Sequence, residues 1–252
     1  MSQLAPGMAL VVPCYNEADR FDEGAFARLL EPGNGLYLLL VDDGSKDETL
    51  ARLRAFASAH PGKCDVLALA RNAGKAEAVR QGMLRMLSLG HDVVGFADAD
   101  LATPTKELLR LAAGMRDGTM EVIIGARVEL LGHAIKRHKH RHYLGRVFAT
   151  VASVALGVPI YDTQCGAKFF RAGPALSQAL SEPFASRWSF DVELIGRLIR
   201  TKDGVAPLSL DRFREEPLEA WVDVPGSKLN PMSALKSGVE LGAIAWRLRR
   251  RR

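Results

Sequence analysis

Cysteine is scarce in this sequence: Cys14, Cys64 and Cys165 are the three in 252 residues. Their number is odd and no Cys-x-x-Cys occurs, which argues against a disulfide framework or zinc ribbon and for a reducing compartment. Long hydrophobic runs are missing as well. The longest uncharged apolar stretch, Val147 to Ile160, has fourteen residues, whereas a spanning helix needs about 20. Met1 to Gly7 has neither a basic region nor an apolar run, so neither a signal peptide nor a transmembrane segment is expected. No Gly-x-Gly-x-x-Gly or Walker loop follows a strand, so a glycine-rich phosphate cradle is not expected to hold the ligand. Tyr143 is the one aromatic beside the basic run Lys136 to His142, too few for a nucleic-acid surface built on stacking, and no nucleic-acid partner is expected. There is no internal repeat and no low-complexity linker.

What is present is an ordinary globular composition, 48% hydrophobic and 25% charged, in a chain long enough for one sizeable core. The stretch Val93-Val94-Gly95-Phe96-Ala97-Asp98-Ala99-Asp100 reads as a buried strand ending in two carboxylates. Residues i and i+2 of a strand share a face, so Asp98 and Asp100 would aim at one point. Two carboxylates on one point repel unless a cation lies between them, and Mg2+ in that setting commonly brings phosphates with it. The remaining pattern alternates. Met8 to Val12, Leu36 to Val41, Asp65 to Ala70 and Glu121 to Gly125 read as strands. Between them, helical segments include Ala25 to Leu30, a stretch from a Ser45/Glu48 capping box to about Ser58, one after Lys75 to about Leu89, and one opened by Thr103-Pro104. Later come helices over Tyr143 to Leu156 and Trp188 to Ile199, an extended stretch from Arg212 to Val224, and a last helix opened by Asn230-Pro231. The alternation predicts an α/β fold, a doubly wound and mostly parallel sheet with helices on both faces. Such sheets bind ligands at the carboxyl ends of their strands, where Glu17, Asp43, Asp98 and Asp100 all fall.

The net charge of +5 is unevenly placed. Lys136 to His142 forms one basic block, and Arg247 with Arg249 to Arg252 another; both suit anionic partners. The block holds His138, His140 and His142, close to His133, but neighbouring cations and the absence of acidic or cysteine ligands disfavour zinc. It reads instead as a solvated face for lipid phosphates, beside a Val147 to Leu156 helix that is either core or interfacial. The last helix carries Met232, Leu235, Val239, Ile244, Trp246 and Leu248 before its arginines, a pattern that suits the interface of an anionic membrane. The simpler alternative is that the arginines complement the helix dipole.

Taken together, Val12-Pro13-Cys14-Tyr15-Asn16-Glu17, Val41-Asp42-Asp43-Gly44-Ser45, Arg71-Asn72-Ala73-Gly74-Lys75, Asp98-Ala99-Asp100 and Gly125-Ala126-Arg127 resemble the family 2 glycosyltransferases of the GT-A fold. With Asp162-Thr163-Gln164-Cys165-Gly166-Ala167-Lys168-Phe169-Phe170, Ser189-Phe190-Asp191-Val192-Glu193-Leu194 and Pro225-Gly226-Ser227-Lys228-Leu229 downstream, they look most like the dolichyl-phosphate glucosyltransferase and dolichol-phosphate mannosyltransferase branch, and the Asp-Thr-Gln-Cys-Gly and Gly-Ser-Lys stretches point to the glucosyl-type enzymes. The resemblance spans about residues 8 to 230 and implies a single GT-A domain over 1–230, followed by a basic amphipathic helix over 231–252. It implies that Pro13, Tyr15, Glu17, Val41 and Asp43 hold the nucleotide, with Lys75 nearby. Ala99, Gln164, Asp191 and Lys228 complete the substrate-binding set, Lys228 on a closing loop. Asp98 and Asp100 would bind Mg2+ or Mn2+ on the diphosphate and act in catalysis together with Arg127, which would face the acceptor phosphate. Two departures stand out: Ala102 replaces a Gln common in the mannosyl enzymes, and no counterpart of the N-terminal membrane anchor of the eukaryotic glucosyl enzymes is expected.

The expected activity is therefore an inverting, metal-dependent transfer of a hexose, glucose first, from a nucleotide sugar (UDP-glucose) to undecaprenyl or dolichyl phosphate. GDP-mannose is the second donor. The protein would lie peripherally on an anionic membrane at its cytoplasmic face. A phosphate acceptor is already ionised and needs cations; a hydroxyl acceptor needs a base, for which Asp191 and Glu193 are the candidates unless they are salt-bridged helix carboxylates. A nucleotide- or RNA-binding module and a nucleotidyltransferase are the alternatives of other classes. Cys14 and Cys165 read as packing residues.

Overall fold

Short apolar runs separated by helical segments call for strands laid side by side with crossovers on the two faces. The computed structural model describes residues 7–136, 139–222 and 240–248; the side chains of 136, 139–144 and 146 lie outside that description. The first half alternates strictly: β1 (Met8–Cys14), α1 (Glu23–Leu29), β2 (Leu36–Asp42), α2 (Thr49–Ala59), β3 (Cys64–Ala68), α3 (Lys75–Ser88), β4 (Val93–Ala97), α4 (Thr105–Gly114) and β5 (Val122–Ala126). The second half does not: β6 (Ala134–Lys136), α5 (Lys139–Leu156), β7 (Ala167–Arg171), α6 (Pro174–Ser181), α7 (Phe190–Ile199), β8 (Phe213–Pro217) and β9 (Ala220–Val222). Seven strands form one sheet in the order β3-β2-β1-β4-β7-β5-β8, and β6 pairs with β9 in a small ribbon. All neighbours in the large sheet are parallel except β7, which runs antiparallel between β4 and β5.

Apolar residues on both faces explain the layering. One core cluster joins α3, α6 and α7 to one face of the sheet, and a second joins α1 and α4 to the other. Gly95 is required in β4 because a Cβ there would lie 2.4 Å from the Phe169 ring on β7. Residues 240–248 are helical, and Leu241, Ile244 and Leu248 are buried in the first cluster. This corrects the expectation that Ile244 and Leu248 belong to a membrane-facing stripe. They pack inward, so closely that a Cβ on Gly196 of α7 would come within 2.3 Å of Leu248. Trp246 stays exposed. Met232, Leu235, Val239, the start of that helix and the terminal arginines lie outside the described residues.

Two helix starts differ from the sequence reading. α2 begins at Thr49 with no side-chain cap, because the Ser45 hydroxyl accepts the Asn16 amide at 3.0 Å instead of capping. α4 begins at Thr105 with Pro104 as its N-cap, one residue later than Thr103-Pro104 implies.

Glu193 and Arg197 form an i,i+4 ion pair at 2.7 Å inside α7. Arg197 also donates to the carbonyls of Ala179, Glu182 and Pro183, and Glu193 accepts the Ala185 amide. Removing one partner of a buried pair leaves an uncompensated charge. Arg197→Met is therefore expected to lower unfolding stability by about 3 kcal/mol or more, read as a lower urea midpoint at unchanged slope.

Candidate functional site

Because β1, β2, β4, β5 and β8 are parallel and β7 opposes them, their carboxyl ends and the start of β7 meet at one edge of the sheet. Ligands of open α/β sheets bind at such an edge. The loops there are stitched together by hydrogen bonds. After β1, the Asn16 amide donates to Ser45 Oγ, Glu17 N to Thr49 Oγ1 at 2.8 Å, and Lys46 N to Asn16 Oδ1 at 2.9 Å. After β2, the Asp43 carboxylate accepts the amides of Ala73 and Gly74 at 2.7 and 2.8 Å and so shapes the Arg71-to-Lys75 turn. Burial pushes the Asp43 acid up against those two hydrogen bonds and the nearby Arg187 charge. Gly44, at φ +66°, touches that turn: a Cβ would lie 2.5 Å from the Arg71 carbonyl carbon.

Asp98 and Asp100 leave β4 on a turn, not on the strand itself. Leu101 at φ +49° closes the turn, and Asp100 Oδ1 accepts the Ala102 amide at 3.0 Å. Burial and the Asp98 charge push the Asp100 acid up. Glu17 is pushed up by burial as well, opposed by Arg20, whose Nη2 binds Glu17 Oε1 at 2.7 Å. Glu17 Oε2 is buried and accepts no hydrogen bond among the described residues. Lys75, first residue of α3, pairs with Asp98 Oδ1. Burial pulls its ammonium down, but Asp98, Asp191 and Asp100 outweigh this and carry it up.

The opposite wall is the loop Asp162 to Gly166. Asp162 accepts Arg127 N at 3.1 Å, Nε at 2.7 Å and Nη2 at 2.8 Å, and the guanidinium lies over the Trp221 ring, 5.4 Å from its centre. Asp162 thus holds Arg127 through N, Nε and Nη2, leaving Nη1 as the guanidinium nitrogen without a hydrogen-bond partner among the described residues. Glu215 on β8 anchors this wall by accepting the Tyr161 and Asp162 amides, both at 2.8 Å. Gly166 O accepts the Asp98 amide at 3.0 Å, and a Cβ on Gly166 would lie 2.1 Å from Asp98 Oδ2. Behind it, Lys168 is fully buried on β7, bonded to Asp191 Oδ1 at 2.6 Å and Cys165 O at 2.5 Å.

The residues singled out from sequence fall as follows. Pro13 and Tyr15 line the edge, half-buried and exposed. Ala99 and half-buried Gln164 lie on the two loops that flank Asp98. Val41 is different: its side chain is fully buried where a Cβ on Gly82 would meet it, so it offers a ligand no side-chain surface. Asp191 is buried and ion-paired to Lys168, and Glu193 to Arg197; both follow the salt-bridge alternative and neither stands ready as a base. Cys14 and Cys165 are buried, and desolvation pushes the Cys165 thiol up to about 11, as befits packing residues. His133 bonds Leu218 O at 2.8 Å. Lys228 with its Gly-Ser-Lys loop, and the side chains from Lys136 to His142, lie outside the described residues. Arg20, Asp162, Gly166, Lys168, Arg187 and Glu215 were not assigned site roles from sequence. Asp162, Gly166 and Lys168 left a signal there, as members of the Asp162-to-Phe170 stretch.

The donor set suits a hard divalent cation. Asp98 and Asp100 supply carboxylate oxygens, Asp98 Oδ1 being buried with the Lys75 ammonium as its partner, and Glu17 brings a third carboxylate close by. Among the described residues no three acidic, histidine or cysteine groups form a complete cage. A cation here would take a minority of its ligands from protein, which is the habit of Mg2+ at phosphate-bearing sites. Among the described residues no helix is long and apolar enough to cross a membrane.

Comparison with known proteins gives a consistent result. The family described as Glycosyl transferase family 2 matches residues 9–175. Dolichyl-phosphate beta-glucosyltransferase of Homo sapiens is 31% identical over 97% of this chain and 79% of its own length. The enzyme of the same name from Drosophila melanogaster is 33% identical over 96% and 77%. Among solved structures, glucosyl-3-phosphoglycerate synthase from Mycobacterium tuberculosis, crystallised with Mn2+, UDP and phosphoglyceric acid, superposes with a TM-score of 0.69 at 17% identity, covering 98% of this chain and 79% of that one. At that identity the likeness speaks for the fold.

Proposed function

The chain belongs to glycosyl transferase family 2, and from that premise we propose that it passes glucose from UDP-glucose to a polyprenyl phosphate, with inversion, at the cytoplasmic face of a membrane. The observation that carries the acceptor class is the state of Asp191 and Glu193. Both candidate bases are engaged in buried ion pairs with Lys168 and Arg197, whereas a hydroxyl acceptor would need one of them free. A phosphate acceptor arrives ionised and needs only placing. Arg127 is suited to placing it. Fixed by Asp162 and Trp221, this guanidinium has Nη1 to offer an anion. Glu215 keeps Asp162 in place, so Arg127 is rigid before the acceptor enters.

Asp98 and Asp100 would hold Mg2+ or Mn2+, which supplies charge neutralisation for the nucleoside diphosphate leaving group. The loop after β1, bearing Pro13, Tyr15 and Glu17, and the Asp43-shaped turn flank the place for the nucleotide, with the exposed Arg187 beside Gly74. Membrane contact is supported by apolar side chains left outside. Leu131 is fully exposed after β5, and Val147, Val151 and Val154 are exposed on α5 at i, i+4, i+7, the same helix whose first residues are Lys139-His140-Arg141-His142. We place the lipid-facing surface there in preference to 240–248, whose apolar residues pack inward.

The test is to incubate the protein with radiolabelled UDP-glucose and GDP-mannose separately, Mg2+ or Mn2+, and undecaprenyl or dolichyl phosphate in detergent. Label extracted into organic solvent from UDP-glucose, abolished by a chelator, is the expected result. Label reaching only a soluble glycan would overturn the lipid acceptor.

A further inference from the structure

Lys75 occupies an electrostatically awkward place. It is the first residue of the 14-residue helix α3, where the helix dipole presents its positive end and a cation is disfavoured. What holds it there is the acidic cluster: its ammonium pairs with Asp98 Oδ1, with Asp191 and Asp100 close enough to act on it. That oxygen is buried, and Lys75 is the cation that compensates it. The same oxygen belongs to the carboxylate assigned above to the metal. A divalent ion and an ammonium on one carboxylate oxygen repel, so a metal on Asp98 works against the Lys75 contact. Among the described residues, the other acids that act on Lys75 are Asp191 and Asp100, and Asp100 shares the metal site. Asp191 is already bonded at 2.6 Å to the fully buried Lys168, and Asp43 is engaged by two backbone amides. The missing anion has to come with the substrate.

Resting on the metal reading of Asp98 and Asp100, we propose that Lys75 is a resident counter-ion of Asp98 that moves to the donor's diphosphate when the metal binds, so that metal and nucleotide enter as a coupled pair. Without nucleotide, a metal ion competes with Lys75 and binds weakly. With nucleotide present, the diphosphate both receives Lys75 and completes the metal's coordination. No bond is made or broken; the ammonium exchanges one anionic partner for another.

The experiment measures Mn2+ binding to the full chain by electron paramagnetic resonance, with and without UDP. Lys75→Met is expected to bind Mn2+ alone about tenfold more tightly than wild type, with the gain on adding UDP reduced by a similar factor, within the usual range of coupling between sites. Lys75→Arg, which keeps the charge, should stay near wild type, as should Lys106→Met at an exposed position. A second readout needs no variant: acetylation of Lys75, mapped by mass spectrometry, should rise with Mn2+ alone and fall again when UDP is added. An unchanged Mn2+ affinity in Lys75→Met, or Lys75 reactivity indifferent to Mn2+, would overturn the coupling while leaving the metal site standing. Mn2+ bound by no protein, even with UDP, would overturn both.

Discussion

Asp100→Asn is expected to reduce kcat/KM for transfer to prenyl phosphate by about 10³, because neutralising the leaving diphosphate is worth several kcal/mol of barrier. Stability should move the other way. Burial and the Asp98 charge both push the Asp100 acid up, so its ionised form destabilises the folded state, and a neutral side chain relieves that. The thermal midpoint of Asp100→Asn should therefore equal or exceed that of wild type, as is common where an active site holds strained charges. Initial rates of lipid-linked label and a thermal melt on the same preparation check both halves. Full activity in Asp100→Asn would remove this carboxylate from the chemistry, and a fall in the melting midpoint would make it structural.

Gly166→Ala carries the second large effect, and it acts on Asp98 without touching that residue. A Cβ at position 166 would sit 2.1 Å from Asp98 Oδ2 and 2.4 Å from its Cγ, distances that real Cβ atoms do not reach. Either the Asp98 carboxylate swings away or the bond from its amide to Gly166 O is broken. We expect a loss of about 10²-fold in transfer, the scale of a misplaced catalytic group, and a parallel loss of Mn2+ affinity. The stability cost should be about 1–3 kcal/mol, as for overpacking elsewhere. Gly173→Ala is the matched control, since nothing lies within 4 Å of its added Cβ. Activity near wild type in Gly166→Ala would show that Asp98 tolerates displacement.

The first half of the fold was legible because its strands are pure. Leu10 to Val12, Leu38 to Val41 and Val93 to Ala97 are apolar runs buried on both faces, and a parallel sheet covered on both sides demands such runs. β7 was harder to read. Its sequence Ala167-Lys168-Phe169-Phe170-Arg171 puts a lysine in the middle of the sheet, and only the distant Asp191 makes that burial tolerable; no local pattern announces such a partner. The site divides in the same way. Asp98 and Asp100 stood out as a charged end to an apolar strand, although the turn at Leu101, not strand alternation, sets their geometry. Lys75 was placed near the nucleotide, but its pairing with Asp98 bridges separate elements and no spacing encodes it. Arg127 was singled out to face the acceptor phosphate, but the Asp162 carboxylate that holds it lies 35 positions away, a pairing no local pattern shows. The capping box at Ser45 misled because the hydroxyl found a tertiary donor, the Asn16 amide, before it could serve its own helix.

The place of β7 also sets an order in time. β4 and β5 both use it as neighbour, and residues 127–166 must emerge from the ribosome before it does. Until then the nascent chain can assemble only the block β3-β2-β1-β4, with Val93 to Ala97 as an open, wholly apolar edge, the kind of strand that recruits other chains. Fragments ending short of residue 167 should thus aggregate during synthesis, and those extending beyond Arg171 should be the first to close the sheet.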